Sequence, residues 1–286
     1  MRYLFKHIIK TVFIVSLAIL VASCSFKTFY NQLDNFIPYY VEGMVSLDSM
    51  LEEKVSERTL VFINWHRDTQ LNQYADWFGE IQRDTNEQLS DEKVHQHIVM
   101  FYHFLNSVLL KFDEEMALLL PLINAEQREE LFCSFDEKND EFREERIELN
   151  VEERITKYTD RIIDGYKTWI GDLTNEQEVF AKLAATKLQS TGRYRFAQRI
   201  KWQQSIKRIL DTNNAASQKT TSLHRFFKDY RSEDALEMNK VANMNKNIIS
   251  YLTRQVVSSM TDKQKMHFVT RTNDYIRMFR ELAEQR

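Results

Sequence analysis

The chain has 286 residues with 39 Lys+Arg against 42 Asp+Glu, a net charge of −3, so it lacks the basic excess that a general nucleic-acid partner requires. Five Gly and two Pro are too few for the tight turns of an all-β or doubly wound α/β chain, which leaves the all-α class. No glycine-rich phosphate loop, nucleophile elbow or Cys/His metal spacing occurs, so nothing in the sequence implies a cofactor or a metal.

At the N-terminus, Arg2, Lys6 and Lys10 precede an apolar run from Thr11 to Ala22 and then the small residues Ala22 and Ser23 before Cys24, the layout of a secretory signal peptide. The run falls short of the ~20 residues that span a bilayer, so a permanent membrane helix is the weaker reading. Val21-Ala22-Ser23-Cys24 resembles the lipobox of bacterial lipoproteins. That resemblance implies cleavage before Cys24 and lipidation of Cys24 as the first residue of the mature protein, with fatty chains such as palmitate. Several such chains hold a protein firmly, at ~0.8 kcal/mol per buried methylene. Ser25, as a non-aspartate after the cysteine, implies lipid anchoring at the periplasmic face of the outer membrane. The expected organisation is signal peptide 1–23, tether and entry segment 24–45, and a helical domain 46–286 which, if divided, splits into 46–171 and 172–286. Without residues 1–23 the chain keeps 36 Lys+Arg and 42 Asp+Glu, a net charge of −6.

The entry segment is unusually aromatic, with Phe26, Phe29, Tyr30, Leu33, Phe36, Ile37, Tyr39 and Tyr40. These rings either dock onto the body or lie at headgroup level, and Pro38 is expected to break the helix there. A helix is predicted from about Asp48 to Arg67, with Leu51, Val55, Phe62 and Trp65 on one face and Arg58 among them. Leu60, Val61 and Ile63 fill its other sides, so its second half is expected to be buried all round. Arg58 then needs a carboxylate or carbonyl partner, and His66 closes the same helix as a candidate buried polar residue. The next helix carries Leu71, Tyr74, Ala75, Phe78 and Ile81 as one stripe.

Trp65-His66-Arg67, Gln70-Leu71 and Tyr74-Ala75, with Tyr30-Asn31-x-Leu33-Asp34 upstream, resemble an uncharacterised family of Gram-negative lipoproteins over about residues 20–80. The resemblance implies the same address and brings no catalytic or ligand-binding residue with it.

Residues 91–119 place Val94, Ile98, Phe101, Leu105, Val108, Phe112, Met116 and Leu119 at alternating four and three spacing, a seam expected to be covered by a neighbouring helix. Pro121 ends it. Further helices are predicted at 125–149, 151–171, a very long one from Asn175 to Asp211, then 218–231, 233–259 and 262 onward, the last with Met266, Val269, Ile276, Phe279 and Ala283 inward. Cys133 reads as a buried small residue. His95, His97 and His103 do not share a face closely enough to hold one metal ion.

Ser90-x-x-Lys93, Asn124-x-x-Gln127, Thr174-x-x-Gln177 and Thr261-x-x-Gln264, each after an apolar residue, mark helix starts, and the Thr/Gln pairs form capping boxes. The Leu-Thr-x-x-Gln form is similar to a motif of periplasmic stress chaperones of the Spy and CpxP type, which are curved helical proteins with a concave binding face. Capping chemistry alone also generates it.

Charge is segregated. Residues 112–153 hold 15 acidic and 4 basic residues, and residues 182–231 hold 12 basic and 2 acidic. Either the two segments neutralise each other, or Arg193, Arg195, Arg199, Lys201, Trp202, Lys207 and Arg208 form a basic and aromatic surface. Such a surface suits an envelope protein, lipopolysaccharide, phospholipid headgroups or peptidoglycan carboxylates. The sequence therefore leads to an all-α, elongated multi-helix bundle that works as a binding or chaperone-like envelope protein. The alternative is an envelope-modifying hydrolase or lyase with a site around His66 and Arg58.

Overall fold

The computed structural model describes residues 23–87, 89–232 and 236–285. The expected signal segment lies outside the described residues, as does the Cys24 side chain. Among the described residues there are twelve α-helices and no strand, a multi-helix bundle as the composition required. In chain order they are α1 (Ser23–Tyr30), α2 (Leu33–Glu42), α3 (Ser49–Thr69), α4 (Leu71–Asn86), α5 (Asp91–Leu119), α6 (Ala125–Arg146), α7 (Val151–Ile170), α8 (Asn175–Lys187), α9 (Gly192–Leu210), α10 (Ala216–Ser232), α11 (Leu236–Ser258) and α12 (Asp262–Ala283). A 3-10 turn at Leu120–Leu122, holding Pro121, follows α5.

The helix starts are chemically specified. Asp48, Ser90, Asn124, Asn150, Thr174 and Thr261 each accept a backbone N–H with the side chain, and the last four form full capping boxes. Three of the box glutamines then do more than cap. Gln177 and Gln264 are 0% and 4% exposed and exchange amide hydrogen bonds, Gln177 Nε2 to Gln264 Oε1 at 3.1 Å and Gln264 Nε2 to Gln177 Oε1 at 2.8 Å. Gln264 also donates to the Asp172 carbonyl, and Gln177 to that of Ser259. Gln127 donates to the Ser46 carbonyl and to Asp48, so the start of α6 is tied to the start of α3. The recurring motif therefore joins helix ends in pairs, 124 with 48 and 261 with 174.

Apolar packing is distributed over three clusters. Tyr30, Ile63, Leu71, Ala75, Tyr275, Met278, Phe279 and Leu282 form the first. Ala117, Leu120, Leu131, Ile206, Leu210, Leu223 and Phe227 form the second, and Ile170, Ala184, Leu252, Val256, Met260 and Phe268 the third. Trp169 packs against both the first and the third. The main fastening of the first is antiparallel: Phe78 meets Tyr275, Tyr74 meets Phe279, and Gln82 donates to Thr272 Oγ1 at 2.9 Å, which closes α12 onto α4 across almost 200 residues of chain.

Several expectations are corrected. Pro38 lies inside α2, and the break comes at Asn31-Gln32; in a ten-residue helix Pro38 forfeits a single backbone bond. The aromatics of the entry segment divide: Phe26, Tyr30 and Leu33 join the first cluster, while Phe36, Tyr39 and Tyr40 are exposed. In α3 the buried line is Leu51, Val55, Thr59 and Ile63, and Leu60 and Val61 face solvent. The long helix expected from Asn175 to Asp211 is two helices. Leu188 turns extended, and the Asn245 side chain pairs both ways with the backbone of Gln189, accepting its N–H at 2.9 Å and donating to its carbonyl at 2.8 Å. In α12 the inward stripe is Gln264, Phe268, Thr272, Tyr275, Phe279 and Leu282, which leaves Met266 outside. Cys133 is exposed, because Leu131 takes the inward position of that turn.

Gln177→Ala is expected to cost about 1–3 kcal/mol in urea unfolding, the range for stranding a buried amide partner. Gln177→Ala with Gln264→Ala should cost less than the sum of the single changes, since both remove one shared interaction.

Candidate functional site

The motif residues that lie apart in sequence converge around His66. Its Nδ1 pairs with Tyr30 Oη at 2.8 Å and its Nε2 with Tyr74 Oη at 3.3 Å, one nitrogen donating and the other accepting. Arg67 donates to Asn31 Oδ1 at 3.1 Å and holds its guanidinium 5.5 Å from the Tyr30 ring centroid. Phe62, Trp65 and Tyr74 pack their rings about the imidazole. Burial lowers His66 from its ordinary value to about 4 and pushes Tyr74 up to about 12. Burial raises Tyr30 as well, opposed by Arg67. The network is therefore neutral at pH 7 apart from Arg67, and its polar atoms are used in docking α1 onto α3 and α4.

Arg58 belongs to a different network. It pairs with Glu57 and, at 3.6 Å, with Glu115, whose other oxygen takes Lys111 Nζ at 2.7 Å. Eight residues of helix, about 12 Å along the axis, separate Arg58 from His66. His66 and Arg58, the pair on which the alternative of a hydrolase or lyase rests, thus sit in separate networks. The α5 histidines also diverge, His97 to Asp84 at 2.9 Å and His95 toward Lys246 at 3.5 Å.

The expected basic face is split. Helices α6 and α9 lie antiparallel along their whole length: Phe142 stacks on Phe196, Asn139 meets Arg199, Phe135 meets Trp202, Lys207 sits over Phe132, and Arg128 donates to the Leu210 carbonyl. The acidic and basic segments are thus neighbours. Arg193, Arg195, Lys201, Lys207 and Arg208 are exposed, but Arg199 turns inward and donates to Asn139 Oδ1 at 2.6 Å, while Asn139 donates to Gln203. Trp202 likewise packs inward on Phe135 and Phe227. Partial burial lowers the Arg199 pKa, opposed by Tyr40 and Glu141.

A surface that periodicity did not reveal lies on α5. The seam expected to be covered is covered only near its ends: Val94 is buried at one, and Ala117 and Leu120 enter the second cluster at the other. Between them Phe104 is the one buried apolar side chain, against Tyr74 and Trp77, and Asp113 and Glu115 are buried toward the second end. Val99, Met100, Phe101, Tyr102, Leu105, Leu110 and Phe112 are 39–56% exposed. Four consecutive large apolar residues, Val99 to Tyr102, point round almost the full circumference, which was the available signal that no single neighbour could cover them.

Helices packed in three clusters, with no strand among the described residues, define an all-α multi-helix bundle. The chain belongs to the DUF6279 family, a family of unknown function, whose model matches residues 44–233. The match takes in the Trp65-His66-Arg67 motif and leaves Tyr30-Asn31 and α12 outside it. No curated protein and no solved structure matches the chain.

His66 makes stability depend on pH. The unfolded chain takes up a proton at His66 below about pH 6.5, whereas the folded one does so only near pH 4. The stabilisation that neutral His66 provides is complete above pH 6.5 and is lost as pH falls toward 4. His66→Gln should lower the slope of unfolding free energy against pH in that window by up to about one proton, measured by urea titration at pH 7, 5.5 and 4.5. An unchanged slope would contradict the assignment.

Proposed function

We propose that this chain is a lipid-anchored envelope protein, acylated at Cys24 at the periplasmic face of the outer membrane, that binds apolar segments of other envelope proteins in a chaperone-like manner. The observation that carries the reading is the bare middle of α5. Apolar exposure on this scale marks binding surfaces in monomeric proteins, and the seven side chains lie within one stretch of 14 residues. The surface is polymorphic in shape, with aromatic, branched and thioether side chains, which suits clients that share apolarity and not sequence.

The anchoring half of the reading rests on the signal-like segment and on the entry helix. Phe26 packs on Tyr275 and Phe279, so the body begins within a few residues of Cys24 and would be held close to the lipid. Phe36, Tyr39 and Tyr40 stand exposed on α2, next in the chain, and amphipathic rings of this kind favour headgroup level. No helix of the described residues is long and apolar enough to cross a membrane.

Two experiments address the two halves. Cys24→Ser is expected to abolish lipid attachment and release the protein to the soluble fraction with its helical circular dichroism unchanged; membrane retention after salt and carbonate washing would contradict the anchor. For the binding surface, the wild-type protein at equimolar ratio should suppress light scattering by a reductively unfolded test protein. Phe101→Ser with Leu105→Asp should abolish that effect while leaving the melting temperature within a few degrees, because both side chains are exposed. Equal suppression by the variant would contradict the assignment to α5.

A further inference from the structure

Three arginines from three helices come together at the junction where α6 ends and α9 begins. A Cβ on Gly192 would lie 2.6 Å from the carbonyl oxygen of Arg146, so the first residue of α9 sits against the last residue of α6 and must be glycine to do so. Lys157 Nζ donates to the Glu145 carbonyl at 3.1 Å and pins α7 to the same end of α6. One helical turn beyond Lys157 stands Arg161, and one turn into α9 stands Arg195. The backbone contacts thus bring Arg146, Arg161 and Arg195 into one neighbourhood from three helices.

Other arginines of this chain have oxygen partners: Arg58 has Glu115, Arg254 has Asp91 and Arg277 has Asp274, while Arg67 donates to Asn31, Arg128 to the Leu210 carbonyl and Arg199 to Asn139. Among the described residues, no ion pair or side-chain hydrogen bond engages Arg146, Arg161 or Arg195, and all three side chains reach solvent. Partial burial lowers the Arg146 pKa, and Arg161 and Arg195 push it the same way against the opposing Glu145, which is the electrostatic mark of crowded like charges. The start of α9 adds to the field. It has no acidic residue in its first turn, Thr191 makes no side-chain cap, and the helix dipole places further positive character there.

We propose that Arg146, Arg161 and Arg195 form a binding site for a phosphate group, as a phosphate monoester or diester. Guanidinium forks match phosphate oxygens in pairs, and three of them around one anion relieve their mutual repulsion on binding. The site is distinct from the apolar face of α5 and does not depend on it. Its ligand comes either from a lipid headgroup or from free phosphate.

The test uses the full chain in a non-ionic detergent at constant ionic strength set with chloride. Affinity is measured by calorimetry for inorganic phosphate and for dihexanoyl phosphatidic acid. At least one should bind, and Arg146→Gln with Arg195→Gln should weaken that binding by about tenfold or more. Arg277→Gln, which is exposed and distant in the chain, should leave it unchanged. Binding of the phosphatidic acid at least tenfold tighter than phosphate assigns the headgroup as the source; equal or weaker binding assigns free phosphate. Without ligand, the double variant should melt at the same temperature as the wild type or higher, because it relieves like-charge crowding. Absence of binding by both probes, or binding indifferent to the double substitution, overturns the proposal.

Discussion

Gln177 and Gln264 hold the C-terminal half of this protein in register from inside it. Each accepts and donates across the contact, and each also receives the N–H of its own cap threonine's backbone. A buried amide that satisfied only some of these positions would cost as much as it gained, so the geometry admits one arrangement of α8, α12 and the loops before them. Gln127 does the corresponding work between α6 and α3. Specific polar fastening of this kind matters because the chain has no single core to impose its topology; three modest apolar clusters must be placed relative to one another by something directional.

That distribution of the core explains α5. The helix is about 43 Å long at the standard rise, and it is fixed at one end by Lys93 and His97 on Asp84 and at the other by packing in the second cluster. Between residues 95 and 112 Phe104 is its one buried side chain. An apolar surface left bare between two anchored ends is costly in contact with water, and its persistence is intelligible if that surface is used. The oppositely charged helices α6 and α9 run side by side, and Arg146, Arg161 and Arg195 come together at one end of that pair.

Much of the architecture was readable from the chain because the signals were local. Asp48, Ser90, Asn124, Thr174 and Thr261 announce helix starts through side-chain chemistry that acts within one turn, and the observed helices begin at those caps. The errors share a different origin, which is partnership across space. The seam of α5 has the spacing of a covered helix, but spacing does not say whether a neighbour arrives. The break at 188–191 depends on Asn245, more than 50 residues away. Arg199 has the composition of a surface residue and the partner of a buried one, Asn139. His66 and Tyr30 were visible as separate motifs, and only folding shows that they are hydrogen-bonded to each other. Arg146 and Arg161 carried no sequence signal at all, since their neighbourhood is created by the contact of Gly192 with the end of α6.

The central claim is that the bare stretch of α5 is the working surface, and backbone hydrogen exchange read by mass spectrometry measures it most directly. Exchange would be compared with and without a reductively unfolded client at saturating concentration. The account predicts new protection in peptides covering residues 98–112 and little change in those covering α8 and α12. Protection confined to other helices, or none despite demonstrated binding, would contradict it.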